Sequence, residues 1–238
     1  MINLFQNKRI MIVVAHPDDE LLGLGATMNK LINEYNVLTH VIILGEGITS
    51  RSDSRDLEKW KKDLRIHKGN INKAKDIIGY HSLNCYDLPD NRFDSVNLLD
   101  IIKIVENEKS QFNPDIIFTH HGGDLNIDHQ RTFEAVMTAA RPIENECVKA
   151  IITFETPSGT EWRASSDPRH FIPNLFIEVS KENIDIKSKG IEAYEFEKRK
   201  FPHPRSPEAL EILAKRYGVV MGGNYYEAFQ IIRINLTK

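Results

Sequence analysis

Cysteines are scarce in this chain, and long apolar runs are missing. Its 238 residues include two cysteines, Cys85 and Cys147, which lie far apart and in no metal-binding spacing. We therefore expect a reducing compartment and no cysteine-based zinc site. No stretch reaches the roughly 20 apolar residues of a membrane span, and residues 1–9 hold no signal-peptide pattern, so we expect a cytoplasmic protein without a membrane span.

A strong charge of either sign is also lacking. The formal net charge is -3, which argues against a general nucleic-acid binder. The hydrophobic content of 41% and the charged content of 27% are typical of a globular chain that buries a core. We expect one domain over residues 1–238, with no nucleic acid as partner and with a homo-oligomer left open.

Three common nucleotide-binding or catalytic patterns are absent as well. The Gly pair at residues 23–25 is not followed by a third Gly at the dinucleotide spacing, because Met28 occupies that position. Neither a GxxxxGK[ST] loop nor a GxSxG turn occurs in the chain. These absences argue against a dinucleotide site, a P-loop nucleotide site and a serine nucleophile.

Apolar runs alternate with helical patterns in the first two thirds of the chain. We predict strands at residues 9–15, 37–44, 83–88, 115–119 and 148–154, and further strands at 175–179 and 231–236. We predict helices at residues 21–32, 53–78 with a break at Gly69, 95–109, 129–140, 184–200 and 206–218. This rhythm predicts an α/β, Rossmann-like fold in which a mostly parallel sheet carries helices on both faces.

The most informative segment follows the first predicted strand directly and reads His16-Pro17-Asp18-Asp19-Glu20. A tight turn brings His16 and Asp19 to one point, and an imidazole nitrogen with a carboxylate oxygen suits a divalent ion such as zinc. Asp18 between them suits a base acting on water. The alternative is an acidic turn that caps the next helix, which accounts for the carboxylates but not for His16 and Pro17.

A second polar segment, residues 120–129, follows the fourth predicted strand and holds three histidines and two aspartates. In a parallel sheet this strand end lies at the same edge as the first motif. Catalytic zinc commonly takes three protein ligands, so His129 suits the third position. Asp128 then either holds the ring of His129 or pairs with another group.

With these two segments the chain resembles the LmbE/PIG-L family of zinc-dependent N-acetylglucosaminyl de-N-acetylases. The resemblance rests on AHPDDE after the first strand and on the later Asp-His pair, and extends from Arg9 to about Gln230. It implies that His16, Asp19 and His129 bind Zn²⁺, or another divalent ion, and that Asp18 is the general base.

One position departs from the family pattern. Many members have His-Pro-Asp-His in the second motif, whereas this chain has Asn126-Ile127-Asp128-His129. Asn126 therefore stands where a histidine is expected, and the general acid and the oxyanion donor lack an obvious residue. We interpret the chain as a sub-branch of the family, because all three ligand types are retained.

Other polar residues are candidates for contacts with substrate. Arg51 follows the second strand and suits a phosphate or a sugar hydroxyl, with a solvated arginine as the alternative. Asn91 and Arg92 follow the third strand and suit sugar hydroxyls, with a surface turn as the alternative. His203 lies between two prolines, and the resemblance implies an oxyanion donor there, with a packing or capping residue as the alternative. His121 is the second candidate for that donor. The candidate substrate-binding set is Arg51, Asn91, Arg92, His121 and Asn126.

The sequence therefore predicts a metal-dependent hydrolase, and the resemblance implies an N-acetylated sugar as its small-molecule substrate. Zinc would lower the pKa of its bound water to about 7. The resulting hydroxide would attack the acetamide carbonyl while Asp18 takes the proton. Two alternatives are a non-catalytic carbohydrate-binding module on the same fold and a sugar-phosphate phosphoesterase. The phosphoesterase fits less well, because two-metal sites need more ligands than these motifs supply.

Overall fold

The continuous apolar run after Arg9 forms an interior strand of the sheet. In the computed structural model, which describes residues 4–235, β1 spans Arg9–Val14, and its five apolar side chains are buried. The other strands are β2 (Leu38–Gly45), β3 (Ser82–Leu88), β4 (Ile116–His120), β5 (Ala150–Phe154), β6 (Leu175–Glu178) and β7 (Tyr226–Ile234). They form one seven-stranded sheet in the order β3-β2-β1-β4-β5-β7-β6.

The predicted mostly parallel sheet is confirmed. β1 pairs in parallel with β2 and β4, and the parallel pairing continues to β3 on one side and β5 on the other. β7 then pairs antiparallel with both β5 and β6. The carboxyl ends of the five parallel strands therefore meet at one edge of the sheet, which is where both polar segments follow their strands.

Helices cover both faces, as the β-α rhythm predicts. They are α1 (Asp19–Tyr35), α2 (Leu57–Ile78), α3 (Leu98–Phe112), α4 (Ile127–Ala139), α5 (Lys181–Ala193) and α6 (Pro207–Met221). Alternate residues of β1 point to opposite faces. Ile10 and Ile12 pack in a core with α1, α2 and α5, whereas Met11 and Val13 pack in a second core with α3 and α4.

Some element bounds differ from the predictions. α2 continues through Gly69 without the expected break, since one exposed helical glycine costs about 1 kcal/mol and other turns compensate. α6 continues past Gly218 and ends at Gly222, which takes the left-handed conformation, φ 73°, that suits a C-cap. β7 begins at Tyr226 because it pairs with two strands; predicted residue 236 lies outside the described residues.

The end of α5 differs most, and it bears on the site. The helix stops at Ala193, not at residue 200, and the next residue, Tyr194, is fully buried. The Tyr194 hydroxyl donates a hydrogen bond to Glu20, so the chain leaves the helix axis and crosses beside the first motif. No helix within residues 4–235 is long and apolar enough to cross a membrane.

A close approach between α1 and β5 gives a first prediction. A Cβ atom at Gly23 would lie 2.1 Å from a ring carbon of Phe154, whereas a Cβ at Gly69 would meet nothing within 4 Å. Gly23→Ala is expected to lower the free energy of unfolding by about 1–3 kcal/mol through overpacking. Gly69→Ala, the matched control, is expected to raise it by about 0.5–1 kcal/mol. Urea unfolding of both variants tests this, and equal effects of the two substitutions would contradict the packing.

Candidate metal centre

The turn after β1 places three carboxylates in the protein interior. Asp18, Asp19 and Glu20 are all buried, and α1 begins at Asp19. Asp18 has φ 104°, which is strained for a residue with a side chain. Within the described residues its carboxylate makes no capping hydrogen bond to α1. The alternative that these acids only cap the next helix therefore does not account for the Asp18 side chain.

His16, Asp19 and His129 come together at this edge of the sheet. One ligand-type atom from each of the three lies within 4.8 Å of the other two. His16 Nδ1 and His129 Nε2 are each 3.4 Å from Asp19 Oδ2. His129 reaches this point from the first turn of α4, because β4, which precedes that helix, lies beside β1.

Two orphaned atoms test whether these residues fit a metal ion. Asp19 Oδ1 and His129 Nε2 are buried and have no hydrogen-bond partner in the described part of the chain. Leaving such a polar atom unpaired costs about 1–3 kcal/mol, so a missing partner is indicated. Imidazole nitrogen and carboxylate oxygen are the donors that zinc and related divalent ions take. The donor set therefore fits a divalent cation.

Further carboxylates hold the two imidazole rings from behind. His16 Nε2 lies 2.9 Å from Asp128 Oδ2, and it also lies 3.4 Å from Asp90 Oδ1. His129 Nδ1 lies 3.1 Å from Asp124 Oδ1, a charge contact whose geometry does not make a hydrogen bond. Of the two roles predicted for Asp128, pairing with a group other than His129 is therefore the one observed. Such partners orient the ligand rings and fix which nitrogen is available.

His120 was not predicted as a site residue, yet it packs on the cluster. Its ring stacks on that of His129 with centroids 3.9 Å apart. The backbone N–H of Ala15 donates to His120 Nε2 at 3.0 Å, so Nδ1 carries the hydrogen and donates to Thr156 Oγ1. Burial, followed by the nearby charge of His129, lowers the pKa of His120 to about 4. His120 is therefore a neutral packing partner of His129.

The charges around the cluster favour a cation. Burial alone would lower the pKa of His129, but the carboxylates of Asp19 and Asp124 raise it to about 9. For His16 burial is likewise outweighed, and Asp128 and Asp19 raise its pKa well above the ordinary value. Without a metal ion the His129 ring is therefore positively charged at neutral pH, and a metal ion that binds its Nε2 must displace the proton there.

This competition predicts that the affinity for a metal ion rises with pH. Between pH 6.5 and the His129 pKa of about 9, each pH unit should strengthen zinc binding about tenfold for every proton displaced. Above pH 9 the gain from His129 should end, because the ring is then neutral before the metal binds. Competition with a chromophoric chelator at several pH values measures this. An affinity that does not change with pH would contradict the charge state assigned to the rings.

A polar cavity of about 170 Å³ opens beside His16 and Asp18. Three of the predicted substrate-binding residues, Arg51, Asn91 and Asn126, line it. Asn126 Nδ2 donates to Asn91 Oδ1 at 2.8 Å, and Arg51 donates to Glu197 and to the Phe196 carbonyl. Arg51 is therefore held by the protein although its side chain is 36% exposed, and its contact with substrate stays a prediction.

The remaining predicted residues, Arg92, His121 and His203, are not among the described residues that line this cavity. His121 Nε2 donates to the Arg169 carbonyl at 2.9 Å. His203 packs edge-on against Trp162, and its Nδ1 accepts a hydrogen bond from the backbone N–H of Arg205. Both rings are thus engaged away from the cavity, and their oxyanion roles stay predictions.

Arg205 and Glu197 are among the cavity residues that were not predicted from the sequence. Arg205 Nη1 donates to Asp18 Oδ2 at 2.9 Å and lies 3.7 Å from Glu197 Oε2. We predicted a site residue in this segment at His203, but the side chain that contacts Asp18 is that of Arg205, two residues later. No local pattern signals the Arg205 contact, because its partner lies 187 positions earlier in the chain.

Comparison with known proteins connects this geometry to a family. The PIG-L model, described as GlcNAc-PI de-N-acetylase, matches residues 11–140. The chain is 28% identical over 187 residues to the uncharacterized deacetylase YaiS of Escherichia coli (strain K12), covering 76% of this chain and 88% of that protein.

Two solved structures have the same fold. One is the N,N'-diacetylchitobiose deacetylase from Pyrococcus horikoshii, with a TM-score of 0.73 and 16% identity, covering 95% of this chain and 84% of that one. The other is the zinc-inhibited form of the teicoplanin deacetylase Orf2, with a TM-score of 0.74 and 14% identity, covering 96% of this chain and 100% of that one. At these identities the likeness shows the shared fold.

Proposed function

This chain belongs to the PIG-L family, and from that membership we propose that it is a metal-dependent hydrolase removing an N-acetyl group from an amino sugar or its conjugate. The family model and the similar E. coli protein both carry the description of a deacetylase. The observation that carries the metal-dependent part is the convergence of His16, Asp19 and His129 around two orphaned buried atoms. Zinc is the ion that we propose.

The metal ion, when bound, would polarise the amide carbonyl and make water a better nucleophile near neutral pH. His16, Asp19 and His129 would hold it, with Asp128 and Asp124 orienting the two rings. The remaining chemistry falls to side chains of the cavity wall.

Asp18 is the general base in this proposal. It is buried beside the ligand cluster and lines the cavity. Burial raises the pKa of Asp18 well above its ordinary value, although Arg205 opposes this. A carboxylate of raised pKa suits a group that accepts a proton from attacking water and then passes it to the departing amine nitrogen. The C–N bond of the acetamide breaks, and the products are acetate and an amino sugar.

The polar cavity is the proposed sugar site. Its volume of about 170 Å³ suits one sugar unit near Asp18, with the remainder of a conjugate extending outward. Arg51, Asn91 and Asn126 supply polar atoms for sugar hydroxyls along this wall. The diacetylchitobiose deacetylase of the same fold makes N-acetylated disaccharides a natural first choice among conjugates to test.

The decisive experiment is acetate release across a panel of N-acetylated sugars, disaccharides and sugar nucleotides, with and without a chelator. We expect release from at least one member, abolished by the chelator and restored by zinc. Binding of a sugar with no acetate release in the presence of zinc would favour a carbohydrate-binding module. Release of inorganic phosphate from sugar phosphates, with no release of acetate, would favour a phosphoesterase.

A further inference from the structure

Arg205 is far from Asp18 in the sequence, yet its side chain contacts this proposed base. We propose that Arg205 is a positioning residue: it holds Asp18 Oδ2, so that Oδ1 alone faces the cavity as the proton acceptor. This inference rests on the proposed function of the site, since it assigns a role to a contact of the proposed base. It adds a residue that neither motif contains.

The guanidinium of Arg205 is fixed by more than one contact. Nη1 donates to Asp18 Oδ2 at 2.9 Å, and Nε donates to Ser158 Oγ at 2.6 Å. Glu197 Oε2 lies 3.7 Å from Nη1, and the Arg205 side chain is 21% exposed. Donors on two different nitrogens set the plane of a guanidinium, so its direction toward Asp18 is defined.

Asp18 depends on this donor more than an ordinary aspartate would. Its backbone is in a strained conformation, with φ 104°, and its N–H is held by Glu20 Oε2 at 3.0 Å. Arg205 is the side chain that the described residues offer as hydrogen-bond donor to the Asp18 carboxylate. Oδ1 receives no hydrogen bond from the residues between 4 and 235, and Asp18 lines the cavity. The two oxygens thus have different surroundings.

The local chain path explains how Arg205 is delivered. The Arg205 backbone N–H donates to His203 Nδ1, and the Ser206 N–H donates to the His203 carbonyl at 2.9 Å. Ser206 then caps α6 through its hydroxyl, which accepts from the Ala209 N–H at 3.2 Å. His203 therefore helps to fix the backbone that carries Arg205, and it is not among the described residues that line the cavity. Without Arg205 the carboxylate would be free to rotate, including toward the metal ligands.

The kinetic test compares Arg205→Ala, Arg205→Lys and Arg141→Ala on the N-acetylated substrate that the wild type uses. Arg141 is the control, because it is exposed, pairs with Glu106 and is not among the described residues that line the cavity. We expect kcat to fall about 100-fold in Arg205→Ala and about tenfold in Arg205→Lys, since a misplaced base costs rate. KM should stay within about threefold of wild type in both variants, and Arg141→Ala should keep kcat and KM within about twofold of wild type.

Added guanidinium should restore the kcat of Arg205→Ala about tenfold, and it should leave the kcat of Arg141→Ala unchanged. A rise in KM with an unchanged kcat would overturn the proposal, because Arg205 would then bind substrate directly. Equal losses in Arg205→Ala and Arg141→Ala would also overturn it, because the loss would then follow from removing any positive charge and not from losing the contact with Asp18.

A structural readout keeps this test separate from the proposed function. Crystal structures of the zinc-loaded wild type and Arg205→Lys, with metal content measured on the same samples, show where Asp18 points. We expect equal metal content, with the Asp18 carboxylate rotated or in two conformers in the variant. An unmoved carboxylate would overturn the role of Arg205. A wild type that releases acetate from no N-acetylated sugar would contradict the proposed function, while this comparison still decides on Arg205.

Discussion

Asp18→Asn is expected to lower kcat by about 10²- to 10⁴-fold while leaving the metal content at the wild-type level. The amide has nearly the shape of the carboxylate, and its oxygen still accepts the hydrogen bond from Arg205 Nη1. It cannot take a proton from water at neutral pH, so the proposed base is removed while the ligand cluster stays intact. Acetate release and metal analysis on one preparation measure both effects.

A surface exchange of the same kind is the control for this prediction. Asp87 is exposed and pairs with Lys68, so Asp87→Asn should keep both metal content and kcat near wild type. An Asp18→Asn variant with activity near that of wild type would show that another group takes the proton. A variant that lost its metal would instead place Asp18 among the ligands.

His129→Ala is expected to weaken zinc binding by more than about 100-fold and to remove activity at trace metal concentrations. It leaves His16 and Asp19 as the remaining members of the cluster. It also removes the ring whose positive charge lies beside Asp19 and Asp124 in the metal-free protein, so these two carboxylates then repel each other. Competition with a chelator at fixed pH measures the change in affinity.

His121→Ala is the matched control for metal binding, because this histidine lies in the same segment but donates to the Arg169 carbonyl. Its zinc affinity should match that of the wild type. If His129→Ala kept full zinc content after dialysis against the chelator, His129 would have to be removed from the ligand set. If His121→Ala lost the metal, the cluster would extend further than the three residues assigned to it.

Much of the candidate site follows from local sequence and one topological rule. His16 and Asp19 lie within four residues of each other, so a turn of any ordinary type brings them close. His129 joins them because β1 and β4 are parallel neighbours, which places the segments after both strands at one edge. The alternation of apolar strands and amphipathic helices is the pattern from which that arrangement is predicted.

The contacts that sequence alone does not reveal are those between distant segments. Arg205 and Asp18 meet because α5 ends early at Ala193 and the chain then crosses the mouth of the site. That early end follows from the burial of Tyr194 against Glu20, a tertiary contact that overrides helix propensity. The stacking of His120 on His129 likewise depends on the angle at which α4 leaves β4.

Zinc titration of the metal-free protein tests the central claim most directly. The protein is stripped with a chelator, zinc is added in steps, and acetate release from an N-acetylated sugar is measured beside bound metal. The account predicts no release from the stripped protein, a linear rise with added zinc, and a plateau at about one ion per chain. Full activity in the stripped protein, or a plateau only at two ions per chain, would contradict a single metal ion held by His16, Asp19 and His129.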